Sequence, residues 1–302
     1  MIPPLNGLWA IINKADWSDK YFSLEKAYVC SALSEIAYQH IPEYEVKNSK
    51  RIKIVPCQHY REIIKSKNST NIRPLLQSAD FGNFFIIETR FVVLIGIITN
   101  KVIFIAIRGT YELYDWMVNL NARKYVLSTE SNAKLHLWFY RAIVTCFDQI
   151  SNELNKSSIQ SDTPIYVTGH SLGGAMGAIL HSQWTTFPSS LVNPIGPLHN
   201  YRIFTHSCYT FGMPRYGNTE AVMFRPPFHL YNKLDIVPSL PPKWLGYENS
   251  IKEYQLDGLN ISYKSKRESV RFINWLFRLL VGIAIKNHNI EIYKQRIYEK
   301  LF

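Results

Sequence analysis

Acidic residues are scarce in this chain: 23 Asp and Glu stand against 34 Lys and Arg, a formal charge of +11 over 302 residues. Long apolar runs are missing as well. No stretch reaches the roughly 18 uninterrupted apolar residues of a membrane-spanning helix, so none is expected. The four cysteines, Cys30, Cys57, Cys146 and Cys208, show no C-x-x-C spacing. They indicate neither a zinc cluster nor a disulfide framework, and buried free thiols are expected. The opening Met1-Ile2-Pro3-Pro4-Leu5-Asn6 lacks the basic head and small-residue cleavage site of a secretory leader. A cytoplasmic or peripheral-membrane location follows as the expectation, with non-classical export as the other route.

What is present is an ordinary globular balance, 47% hydrophobic and 19% charged, which excludes a disordered or collagen-like chain. The positive charge is clustered. Residues 47–73 hold eight bases and one acid, Glu62, and residues 243–300 hold eleven bases and six acids. Such clusters suit an anionic membrane surface or form a solvated basic face. Nucleic acid is not indicated, because no zinc-finger spacing or RNA-binding aromatic signature accompanies them.

Apolar spacing predicts helices over 24–40, 135–150, 172–184 and 272–285. Short apolar runs predict strands at 84–87, 91–98, 102–107, 165–168, 203–211, 228–231 and 251–256, with a hairpin turn at Asn100-Lys101. Strands and helices interleave, which predicts an α/β class with a mostly parallel central sheet flanked by helices. No repeat or low-complexity linker divides the chain. One domain over 1–302 is expected, with 1–80 a less defined helical and basic N-terminal extension.

The densest chemical signal is Ile165-Tyr166-Val167-Thr168-Gly169-His170-Ser171-Leu172-Gly173-Gly174-Ala175. It holds G-x-S-x-G between an apolar strand and a helix, the context in which the motif lifts a serine above a sheet edge. Gly169 and Gly173 suit a strained turn where backbones approach closely. Ser171 is the candidate nucleophile, and the N–H of Leu172 at the helix start is a candidate oxyanion donor. With this architecture the acid and then the base follow the serine in the chain. Asp235 directly follows a short apolar strand and precedes Ile236-Val237-Pro238. After Asp235 only one histidine remains, His288. Ser171, Asp235 and His288 are therefore the candidate triad. Arg108-Gly109-Thr110, after the strand at 102–107, is either an ordinary turn or the source of a second oxyanion donor at Thr110. Residues 111–118 read as a short lid or a fixed core helix, and 272–285 as a core helix or an interfacial one. No metal or cofactor site is indicated.

Five blocks resemble the class 3 lipase family of α/β-hydrolases, which includes fungal lipases and plant phospholipases A1. They are residues 104–110 with Asp115-Trp116, the elbow at 167–175, the Thr210–Asn218 stretch, the aspartate block 232–242, and the histidine segment 288–293. Asn119 stands where many members carry an aspartate. The resemblance implies an α/β-hydrolase fold and carboxyl-ester hydrolysis of lipids, by a triacylglycerol lipase or a phospholipase A1-like enzyme. It assigns Ser171 as nucleophile, His288 as base, Asp235 as its orienter, and Thr110 with Leu172 as the oxyanion hole. The implied partners are a lipid or phospholipid ester and an anionic membrane surface. A small-ester hydrolase, a serine peptidase of the same fold and a non-catalytic lipase-like binding or signalling module are the other readings.

Overall fold

A computed structural model describes residues 5–48, 62, 66, 68–79, 81, 83–109, 122–127, 132–157, 162–183, 205–257, 260–264 and 286–301. Its centre is an eight-stranded sheet built from β1 (Asn83–Glu88), β2 (Val93–Ile98), β3 (Ile103–Ile107), β6 (Ile165–His170), β7 (Thr205–Phe211), β8 (Phe228–Asn232), β9 (Glu253–Asp257) and β10 (Asn260–Lys264), side by side in that order. A separate hairpin pairs β4 (Lys124–Val126) with β5 (Lys134–His136). The run β3-β6-β7-β8-β9 is parallel, and the edge pairs β1-β2, β2-β3 and β9-β10 are antiparallel. This is the mostly parallel sheet that the interleaved pattern predicts.

Helices cover both faces. On one lie α1 (Leu5–Lys14), α2 (Leu24–Ile36) and the late helix Ile290–Leu301; on the other lie α3 (Leu137–Val144), α4 (Phe147–Lys156) and α5 (Leu172–Gln183). The late helix is α6. Strand side chains alternate between the two cores. Phe104, Ala106, Tyr166, Tyr209 and Phe211 meet α1, α2 and α6, while Ile103, Ile105, Ile107 and Val167 meet the other three helices. Burial on both faces explains why these strands read as continuous apolar runs rather than alternating ones.

α2 begins at a Ser23 cap whose hydroxyl accepts from the Lys26 N–H, and it tightens into a 3-10 turn at Ala37–Gln39. The N-terminal helices belong to the sheet's own core: Trp17 stacks edge-on against Phe104 and Tyr166, and Ser34 is hydrogen-bonded to Thr168 at 2.9 Å. The helix expected over 135–150 is in fact β5 followed by two helices. The break falls at Thr145-Cys146, after the β-branched pair Ile143-Val144, which lowers helix preference where the chain must turn. Cys30, Cys146 and Cys208 are buried free thiols. Cys57, Thr110, the 111–118 segment and the 272–285 segment lie outside the described residues.

Because β3, β6, β7 and β8 run in parallel, their carboxyl ends open on one edge of the sheet. Gly109, Ser171, Gly212 and Asp235 leave from that edge, where open α/β sheets bind their ligands.

Candidate active site

Ser171 sits between β6 and α5 with φ of 58°, in the left-handed region that a residue with a Cβ adopts only at a cost. The turn is held by the Ser171 N–H donating to the Phe211 carbonyl at 2.9 Å. The surrounding glycines are required by contact. A Cβ on Gly169 would overlap the Gly173 carbonyl group, and one on Gly173 would overlap the carbonyl oxygen of Ile107 at the end of β3. A Cβ on Gly109 would lie 2.8 Å from the His170 carbonyl oxygen and 3.1 Å from the Ser171 Cβ. β3 therefore delivers the chain to the serine's side just before Thr110. Leu172 opens α5, so its N–H belongs to the helix's first turn, where no helical carbonyl receives it and the dipole favours negative charge.

The other two candidates meet across the same edge. His288 Nδ1 lies 2.7 Å from Asp235 Oδ2, and both side chains are buried. Asp235 Oδ1 accepts the Val237 N–H at 2.9 Å, and Oδ2 also accepts the Tyr293 hydroxyl at 2.6 Å. An imidazole that donates from Nδ1 to the carboxylate has its Nε2 left to accept a proton. Ser171 Oγ and His288 Nε2 are both buried, and neither makes a hydrogen bond among the described residues. They are the two atoms that a proton transfer would join.

His170, the residue before Ser171, makes long-range bonds. Its Nε2 lies 2.6 Å from the His288 backbone carbonyl. A carbonyl only accepts, so Nε2 carries the proton and Nδ1 accepts the Tyr38 hydroxyl at 2.9 Å. Full burial, together with the His288 ring 4.5 Å away, holds His170 well below the usual histidine range and so neutral. The His288 segment is fixed from a second direction by Asn232, which donates to the Asn287 carbonyl at 2.7 Å and accepts from Arg296 at 2.7 Å. Tyr38, Asn232 and Tyr293 carried no motif of their own. For Tyr293 the one usable signal is its place with Ile290 and Ile297 on the buried stripe of α6.

Comparison with known proteins finds a family likeness over part of the chain. Residues 104–244 match the model described as lipase (class 3). A secreted mono- and diacylglycerol lipase of Fusarium solani is 27% identical over 165 residues, 53% of this chain and 45% of that protein. A secreted mono- and diacylglycerol lipase of Malassezia globosa is 29% identical over 161 residues, 48% of each. The chain thus spans about half the length of the curated relatives it matches. The solved structure of lipase II from Rhizopus niveus superposes with a TM-score of 0.56 at 17% identity, covering 88% of this chain and 92% of that one. At that identity the likeness establishes the α/β-hydrolase fold. The expected cytoplasmic or peripheral-membrane location is corrected here, because both curated relatives are named as secreted enzymes. The first residues of a chain that spans half of its relatives carry no weight against that finding. The matched segment holds the strand before Gly109, the elbow and the aspartate loop in order on one sheet edge, and it is this segment that is similar to the class 3 lipase family.

Proposed function

We propose that this chain is a serine carboxyl-ester hydrolase acting on lipid esters through Ser171, His288 and Asp235. The observation that carries the reading is the pair of buried atoms without hydrogen bonds, Ser171 Oγ and His288 Nε2, set behind a 2.7 Å bond from His288 to Asp235. Nucleophile–base bonds often tighten only once substrate is bound. His288 Nε2 takes the Ser171 proton as Oγ attacks the ester carbonyl carbon. The oxyanion is received by the N–H of Leu172 and that of Thr110, which follows Gly109 beside the serine. Collapse of the adduct breaks the bond to the alcohol oxygen, which leaves with the proton from His288. Water then attacks the acyl-enzyme by the same route and restores Ser171. Asp235 holds the imidazole in the tautomer that both steps need.

Partial glycerides are the first substrates indicated, because two relatives carry mono- and diacylglycerol lipase as their names. The surplus of positive charge fits contact with an anionic lipid surface. A phospholipase A1-like activity draws on the resemblance of residues 288–293 to the plant branch. The test combines fluorophosphonate labelling with hydrolysis of a diacylglycerol emulsion and of phospholipid vesicles. Labelling should be confined to Ser171, and Ser171→Ala should lose on the order of 10⁶ in turnover with the fold intact. A wild-type chain that neither labels nor hydrolyses any ester would return it to a binding module.

A further inference from the structure

The Asp235 carboxylate takes more than the histidine. Its Oδ2 accepts from His288 Nδ1 at 2.7 Å and from the Tyr293 hydroxyl at 2.6 Å, the length of a charge-assisted O–H···O⁻ bond. The Tyr293 oxygen in turn accepts the Asn232 N–H at 3.0 Å. A chain of donation therefore runs from the end of β8 through Tyr293 to the oxygen that His288 uses. Gly212, with φ of 55°, forms the floor of this cluster. A Cβ there would lie 2.9 Å from Asp235 Oδ2, 3.0 Å from His288 Nδ1 and 3.0 Å from the Tyr293 oxygen. Three polar atoms from three segments thus share a space that one methyl group would fill, and every group involved is buried.

Resting on the triad reading above, we propose that Tyr293 is a positioning residue of the reaction: its hydroxyl fixes Asp235 Oδ2 beneath His288 and weakens that oxygen's hold on the imidazolium. Donation from Tyr293 draws charge off Oδ2, so less remains to stabilise a protonated His288. The groups facing His288 are Asp235 from the loop after β8, Tyr293 from α6 and neutral His170 from β6, with Tyr38 behind His170. Arg296 reaches the cluster through Asn232.

The experiment uses the full chain, p-nitrophenyl butyrate as probe, and kcat and KM measured across pH. Tyr293→Phe should lower kcat by about tenfold, the order expected for one charge-assisted hydrogen bond, with KM within about twofold. The acid limb of kcat/KM should move to higher pH by about half a unit. A lower Tm does not discriminate, because Tyr293→Phe also leaves the buried Asn232 N–H without its acceptor. The discriminating variant replaces Tyr293 with 3-fluorotyrosine, which keeps the shape and donates more strongly; its acid limb should move to lower pH. Limbs that stay put in the fluorinated protein, or shift the same way in both, would make Tyr293 a structural contact only. If wild type is not labelled at Ser171, the triad reading itself fails. Labelled wild type with unmoved limbs fails the Tyr293 proposal alone.

Discussion

Among the described residues two buried histidine–carboxylate pairs lie on this sheet, and they differ at the far nitrogen. His288 Nδ1 meets Asp235 at 2.7 Å and its Nε2 makes no hydrogen bond among the described residues. His229 Nδ1 meets Glu253 at 3.2 Å across the β8–β9 register, and its Nε2 accepts the Met213 N–H at 3.1 Å. The chemistry of the two pairs is the same up to the far nitrogen. In the second pair that nitrogen is spent on the turn after Gly212, so His229 acts as a clasp on the backbone beside the site. A histidine next to a carboxylate can serve as a base only where the fold withholds a donor from its other side.

The largest effect should come from exchanging the histidines. His288→Ala is expected to lose on the order of 10⁶ in turnover. His229→Gln should lower Tm yet stay within about tenfold of wild-type kcat, because an amide still accepts or donates at the clasp. An inactive His229→Gln beside an active His288→Ala would reverse the comparison outright. The carboxylates give a sharper contrast, since one amide swap is applied to both pairs. Asp235→Asn should cost about 10⁴ in kcat by holding His288 in the wrong tautomer. Glu253→Gln, whose histidine lies outside the proposed triad, should cost less than about tenfold. Equal losses in steady-state kinetics would mean that both pairs serve the reaction.

The smallest effect concerns histidines that burial keeps neutral. His136 is pushed down to about 4, and His170 and His181 are held well below the usual range. When unfolded, each binds a proton near pH 6.5. The unfolded chain therefore carries more protons below that pH, and stability falls as pH drops from about 6.5 towards 4. Calorimetry should show Tm declining over this window with proton uptake on unfolding. A flat Tm would mean that these rings are charged in the fold.

The parts of the site legible in the sequence are those that chain order and local context control. The elbow is one strand–turn–helix stretch, and only His288 follows Asp235. The sheet class was equally legible, because the strands' apolar runs reflect burial on two faces. The bracing of the site was not legible, since Tyr38 and His170 are 132 residues apart and His170 and His288 are 118 apart. No periodicity within one element reports such contacts. The break at Thr145-Cys146 was missed for a different reason. Apolar residues continue through it, and the spacing that suggests one helix is also satisfied by two. The expectations for Thr110, the 111–118 lid and the 272–285 helix fall outside the described residues.

The seating of α6 against α2 has a consequence for folding. α6 is held there by Lys294, 2.6 Å from Glu35, and by Tyr298 against Tyr28, and with the segment just before it brings His288 and Tyr293 to a serine whose own turn needs only β6, α5 and their neighbours. The elbow can therefore form while His288 is still adrift, and contacts so distant along the chain are slow to close. In a refolding time course, helical and sheet signal should return before ester hydrolysis does. Catalysis would then mark the docking of the last helix, and a chain nicked between the elbow and α6 would keep its serine but lose its clock.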